Sequence, residues 1–249
     1  MLNNHTIFNE CHTGKNLTHD VTSKYDKHFI LIKSLLLKKY VKNGDKVLDL
    51  CCGAGDYLPY VLHSDVTYFG VDFSKNMLSE FKNKLNNESN ILLINSNVYK
   101  LPIANNVIDV CFCYSSIYYL ERIDDILSEI NRILSNNGVV ILEFATKGNI
   151  NAFVSEYWAK NNSWGIPFFI SYKDILKNIH NGKFKIIEER HFQLFPVLRG
   201  PWWLIVLASG VFRPLLRLKI AGISLDERIS SISFLKKYSF KYFAILKRK

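Results

Sequence analysis

Hydrophobic and polar positions along this chain follow two periods, and the switches between them mark out most of its elements. Phe29, Ile32, Leu36 and Tyr40 recur at helical spacing and predict an amphipathic helix that opens near Ser23 and ends before the turn Asn43-Gly44-Asp45. Short apolar runs follow at 47–50, 66–71, 91–94, 107–113 and 139–144, as expected for strands buried on both faces. Between them the spacing predicts a short helix from Asp56, a second with Met77, Leu78, Phe81 and Leu85 on one face, and a third over 126–134, stopped by Asn136-Asn137-Gly138. Five such alternations with short links specify an α/β fold, a parallel sheet with helices on both sides. Beyond Ala145 the periodicity predicts helices over 149–160 and 172–179, a long strand over 183–195 and a last strand over 240–246.

The most informative break in this pattern lies at 47–57, VLDLCCGAGDY, where an apolar run carrying Asp49 gives way to a small-residue turn with Gly53 and Gly55. Glycine lets the backbone bend sharply and lie against a ligand. A dinucleotide fingerprint would need a third small residue where Leu58 stands, and a P-loop would need a Gly-Lys-Ser/Thr triplet; neither is present. What remains is D-x-C-x-G-x-G, which resembles the first motif of class I S-adenosylmethionine-dependent methyltransferases, D-x-G-x-G-x-G, with Cys51 in place of the first glycine. The stretch LSEINRILSNNGVVILEF (127–144) resembles a second pattern of that family, L-x-E-x-x-R-V-L-K-P-G-G-x-L-x-I-x-E, lacking the proline and keeping only Gly138 of the glycine pair. Leu101-Pro102-Ile103 and Ile108-Asp109-Val110 match two shorter family motifs.

The resemblance implies a Rossmann-like, doubly wound, seven-stranded sheet, mostly parallel with an antiparallel last strand, and S-adenosyl-L-methionine as cofactor. It places the backbone around Cys51, Gly53 and Gly55 against the methionyl part and gives Asp49 the role of steadying the turn or the cofactor's amino group. Asp72 ends the second strand seventeen residues beyond Gly55, where a carboxylate can accept from both ribose hydroxyls; Phe73 and Met77 join it in the cofactor-binding set. Asn97, standing where the family has aspartate, would accept from the adenine amino group, with Val98 beside the ring. Tyr25, of a Tyr25-Asp26 pair, would close over the cofactor, and Ser115 would line the gap towards the methyl acceptor with Tyr118 and Tyr119. A hydroxyl acceptor needs a base; His191, His28 and Glu143 are the candidates, with His191, Tyr119 and Glu143 forming the candidate catalytic set.

In this fold the last two strands form a hairpin, but here more than forty residues separate them, too many for a plain loop. The chain therefore reads as a single domain, 1–249, with an N-terminal lid or helical segment (1–43), a cofactor-binding core (44–146) and a helical cap insertion (196–238). Within the insertion, the uncharged stretch 202–212 lies between Arg199 and Arg213 and is too short to span a bilayer. It can cap the acceptor pocket, the favoured reading, or make peripheral membrane contact through 199–220.

Composition sharpens this only in part. The 249 residues are 48% hydrophobic, enough for a sizeable core. The net charge is +10, and +9 of it falls between Arg199 and Lys249. Those basic residues are interleaved with aliphatics, and no N/D-P-P-Y/F motif or RNA-binding module is present, so no nucleic acid partner is expected. Five cysteines without ligand spacing imply neither a metal site nor a disulfide. The polar N-terminus carries no signal-peptide pattern, and a cytoplasmic location is expected, peripheral to the membrane if 199–220 makes that contact. The sequence thus points to methyl transfer onto a small-molecule acceptor, lipid-like or aromatic. A catalytically silent cofactor-binding protein and, further off, an RNA methyltransferase are the alternatives.

Overall fold

A computed structural model describes residues 24–85, 89–161, 165–197, 203–216 and 218–249, without the side chains of 24–26, 205 and 215–216. Helix α1 (Lys24–Tyr40) leads into β1 (Lys46–Leu50), α2 (Leu58–Val61), β2 (Thr67–Asp72), α3 (Lys75–Asn83), β3 (Ile91–Asn95) and β4 (Ile108–Cys113). After a 3-10 turn (Ile117–Tyr119) come α4 (Ile123–Ile133), β5 (Leu134–Ala145), α5 (Ile150–Asn161), α6 (Tyr172–Asn181) and β6 (Phe184–Phe192). Helix α7 (Trp203–Phe212), a 3-10 turn (Arg213–Leu216), the hairpin β7 (Lys219–Ile220) and β8 (Ile223–Ser224), and α8 (Leu225–Ser230) lie between β6 and the final strand β9 (Lys241–Arg248).

The seven-stranded sheet has the order β3-β2-β1-β4-β5-β9-β6. β1 to β5 pair in parallel, and β9 runs antiparallel to both β5 and β6. The doubly wound architecture is therefore as expected, including the reversed last strand and the helical insertion before it. Alternation along each strand sends side chains to two faces. One face carries Leu48, Val71, Cys111, Leu142 and Tyr242 against Ile126, Ile130 and Ile133 of α4 and Ile175 and Ile179 of α6. The other carries Val47, Tyr68, Phe112, Ile141 and Phe243 against Phe29, Ile32, Leu36 and Leu37 of α1, Val61 of α2 and Phe81 of α3.

Three element boundaries move from the sequence expectation. The helix expected from Asp56 begins at Leu58, because the turn stays left-handed through Gly53 (φ 53°) and Gly55 (φ 80°) before the chain can coil. Asn136-Asn137-Gly138 lies inside β5 rather than stopping α4, which already ends at Ile133, with Leu134 extended at ψ 135°. A register shift between Ile108 and Val110 lets Leu134 pair with β4, and the Arg248 guanidinium donates to the Leu134 carbonyl and, at 3.1 Å, to Asn136 Oδ1. β6 ends at Phe192, where Gln193 turns left-handed at φ 65°.

Candidate functional site

The C-terminal ends of β1, β2, β4 and β5 meet where the chain crosses from one half of the sheet to the other, the crevice in which doubly wound folds hold ligands. After β1 the backbone makes a tight cradle. Cys51, Gly53 and Gly55 all have positive φ, at 62°, 53° and 80°. A Cβ on Gly55 would lie 2.3 Å from the Phe81 ring, so α3 packs directly on the turn. Cys51 takes the conformation that glycine favours, and the neighbouring Cys113 and burial push its thiol well above the ordinary value.

Asp72, at the end of β2, fastens the cradle. One carboxylate oxygen accepts from Gly53 N at 2.9 Å and the other from Ser74 N at 2.9 Å. Each oxygen keeps a lone pair for a further donor. Burial pushes this carboxyl upwards, against the backbone amides of Ser74, Gly53 and Phe73 that favour its charge. Ser74, not Asp72, caps α3 by accepting from Met77 N, so the acid is spared that duty. Phe73 and Met77 stand on the same loop and first helical turn, with Met77 Cε 3.4 Å from a Cβ built on Gly53. Asn97 is exposed after β3 and its Oδ1 accepts from Tyr99 N at 3.0 Å, while Val98 is buried beneath it.

Asp49 sits deeper, buried on the α1 face, with Tyr68 Oη donating to it at 2.5 Å. Burial pushes its carboxyl up to about 7. A folded-state value above the unfolded one, roughly 3.9, gives stability that is fully present below the unfolded pKa and is lost as pH rises through about 7. Asp49→Asn keeps an acceptor for Tyr68 and removes the charge. It is expected to raise stability at pH 8 by on the order of 2 kcal/mol and by less at pH 5. Denaturant unfolding at both pH values checks this, and equal gains would contradict it.

The second half of the site is a buried polar network that sequence reasoning grasped only at Ser115 and Glu143. Glu143, on β5, accepts from Ser115 N at 2.8 Å, Ser115 Oγ at 3.2 Å, Lys33 Nζ at 2.8 Å and Lys241 Nζ. Lys33, on α1, also donates to Tyr57 Oη at 2.8 Å and Ser115 Oγ at 2.7 Å. Lys241, at the start of β9, lies with its ammonium 5.0 Å from the Tyr118 ring centroid. Lys33 and Glu143 are almost wholly buried. The two lysines hold the Glu143 carboxyl well below the usual carboxylate range despite burial, and Glu143 in turn holds Lys33 above the usual amine range. An anion so firmly paired anchors cations and is a weak proton acceptor.

Tyr57 follows the glycine cradle by two residues, so this network runs unbroken from the turn after β1 to the aromatic side of the crevice. There Tyr118 packs 4.9 Å from Tyr119 and 6.0 Å from Phe169, centroid to centroid. His191 is not part of it. Strand alternation places His191 on the α6 face, stacked on Tyr242 at 4.7 Å with Nδ1 2.9 Å from Ser239 Oγ, whereas Glu143 points to the α1 face. His28 lies on α1 beside Phe192, pushed down to about 4 by burial and the cations Lys219 and Arg190, so it is neutral at pH 7. The side chains of Tyr25 and Asp26 lie outside the described residues.

Lys33, Tyr57 and Lys241 were missed by motif reading. One signal was available: Lys33 follows Phe29 by four residues and shares the buried stripe of α1 with Ile32, Leu36 and Leu37, an expensive place for an unpaired charge.

Residues 48–142 match a protein family described as a methyltransferase domain. The chain is similar to the demethylmenaquinone methyltransferase of Staphylococcus haemolyticus, 29% identical over 61% of this chain and 65% of that protein. The Staphylococcus carnosus protein of the same name is 30% identical over 61% of this chain and 64% of its own length. The chain thus spans somewhat less than two thirds of the curated relatives it matches. Among solved structures, geranyl diphosphate C-methyltransferase from Streptomyces coelicolor A3(2) superposes with a TM-score of 0.59 at 14% identity, covering 88% of this chain and 80% of that one. Phosphoethanolamine N-methyltransferase 2 of Haemonchus contortus gives 0.60 at 18% identity, covering 88% and 53%. At these identities the superpositions speak for the fold.

Proposed function

We propose that this chain, whose residues 48–142 match a methyltransferase domain family, is a class I S-adenosylmethionine-dependent methyltransferase that binds S-adenosylmethionine in the crevice above β1 and β2 and transfers its methyl group to a small acceptor with an apolar part. One observation carries this reading: the left-handed turn at Cys51, Gly53 and Gly55 is tied through Gly53 N to Asp72. That arrangement offers the turn's backbone to the methionyl part and the Asp72 carboxylate to the ribose hydroxyls. Cys51 fits because its thiol turns towards Cys113 and takes the left-handed conformation that the family's glycine would supply.

The bound cofactor supplies an electrophilic methyl on a positively charged sulfur, which passes in line to the acceptor's nucleophilic atom and leaves a neutral thioether. The protein's work is alignment and exclusion of water, worth roughly 7–11 kcal/mol in well-oriented reactions. Ser115, locked left-handed at φ 57° by Glu143 and Lys33, fixes the loop between donor and acceptor. Tyr118, Tyr119 and Phe169 offer an aromatic wall on the acceptor side. The acceptor class is an apolar ring or chain, in keeping with the names of the menaquinone and geranyl diphosphate enzymes to which the chain is similar.

Asp72→Ala is expected to weaken binding of S-adenosylmethionine and of S-adenosylhomocysteine together, by about 10- to 100-fold, since both present the same ribose to a charged acceptor. Calorimetric titration of the two ligands measures this. Unchanged affinity would remove the ribose assignment, and no transfer of methyl label into any fraction of a cell extract would remove the enzymatic reading.

A further inference from the structure

Helix α7 is inverted relative to an ordinary surface helix. At 100° per residue, Trp203, Leu204, Val206, Leu207, Gly210 and Val211 sweep an arc of about 160°. That arc faces outward, with Trp203 69% and Val211 68% exposed. The one polar residue of the helix, Ser209, is buried and donates to Val206 O. On the inner side Phe212 stacks on Phe195 at 4.6 Å, which holds the helix to the body of the protein and fixes which side looks out. The adjoining hairpin adds exposed Leu218, Ile220 and Ile223.

Charge selects among the surfaces that could cover such a face. Residues 199–220 contain Arg199, Arg213, Arg217 and Lys219 and no acidic residue. The next acids in the chain turn inward: Asp226 accepts from Gln193 N at 2.7 Å, and Glu227 pairs with Arg190 at 2.6 Å. The outward arc holds no side-chain hydrogen-bonding group except the indole N–H of Trp203, so it offers a protein partner little to set register. An exposed apolar face with a tryptophan at one end, next to the exposed Lys219 and within a stretch of sequence whose charged residues are all cationic, matches a boundary that is apolar below and anionic above. No helix among the described residues is long and apolar enough to cross a membrane, so the contact is flat.

We propose that α7 and the β7–β8 hairpin form a docking surface for an anionic lipid bilayer, with α7 lying in the interface and Lys219 at the headgroups. The mode would suit an acceptor that resides in that bilayer, but it does not depend on the identity of the acceptor or on methyl transfer.

The test is co-sedimentation of the full chain, with no methyl donor or acceptor present, on vesicles of phosphatidylcholine alone or with about one third phosphatidylglycerol. Binding is expected on the anionic vesicles, falling as salt rises and about tenfold weaker on phosphatidylcholine alone. The double substitution Leu204→Glu with Leu207→Glu, at exposed positions, should reduce binding at least about tenfold with the thermal melt unchanged. Lys219→Glu should weaken binding to anionic vesicles only. The proposal is overturned if the parent chain stays in the supernatant, if the double variant binds as the parent does, or if the apolar face instead mediates a concentration-dependent dimer that the double variant abolishes. Failure here leaves the transferase reading untouched, since that reading is judged by cofactor titration and label transfer.

Discussion

Replacing Glu143 with alanine is expected to lower the unfolding free energy by about 3–5 kcal/mol, the usual cost of stranding a buried charge. The carboxylate accepts from Ser115 N, Ser115 Oγ, Lys33 and Lys241, so its loss leaves the ammonium of Lys33 buried against Tyr57 and Ser115 without its counter-ion. Lys33→Met combined with Glu143→Leu removes both charges of that pair and should cost less than the sum of the single changes, with a coupling of roughly 2 kcal/mol or more in a double-mutant cycle. The pH dependence has a definite sign. Because the folded-state pKa of Glu143 is depressed, its stabilisation is present above the unfolded carboxylate value, about 4.3, and is lost as pH falls through the folded value. The gap between parent and Glu143→Ala should therefore hold down to about pH 5 and narrow steadily below it in urea unfolding. A Glu143→Ala protein within about 1 kcal/mol of the parent at pH 7 would show that the network does not hold the site together.

Gly55→Ala is expected to cost about 3 kcal/mol or more, and the structure separates the two causes. Gly55 and Gly44 share nearly the same φ, 80° and 83°, so alanine pays left-handed strain at both, of order 1–2 kcal/mol. Around Gly44 nothing lies within 4 Å, whereas at Gly55 the added Cβ would sit 2.3 Å from the Phe81 ring, itself fully buried. The excess of Gly55→Ala over Gly44→Ala thus measures the packing of α3 on the turn. It should appear both in stability and as weakened S-adenosylmethionine binding, because the ring cannot yield without moving the helix that bears Met77. Equal costs for the two substitutions would mean that the turn has room the structure does not show.

Much of this was written in local pattern. The apolar runs placed β1 to β4 within a residue and β5 from Val139 onward, since buried parallel strands tolerate few polar residues and announce themselves by composition. The turn at Gly53 and Gly55 was legible for a related reason: a backbone that bends sharply restricts residue type over a few adjacent positions. Where local pattern misled, a distant residue had intervened. Asn136-Asn137-Gly138 has the composition of a helix stop, yet Arg248, more than a hundred residues later, ties Leu134 and Asn136 to the end of β9, and the segment becomes strand. Glu143 looked like a base because a carboxylate at a strand end is chemically available; two lysines from opposite ends of the chain hold it as an anchor instead.

The sequence by itself determined the strand and helix alternation, the left-handed glycine turn and the acid that ties to it, because each depends on neighbours within about twenty residues. Only the tertiary structure assembled the buried polar network. Lys33, Tyr57, Ser115, Glu143 and Lys241 come from five separate segments and meet because a parallel sheet brings its strand ends to one edge. The same holds for α7, whose apolar sequence suits a core helix as well as a surface one. The packing of Phe212 on Phe195 sets its rotation, and that rotation turns tryptophan, leucine and valine outward.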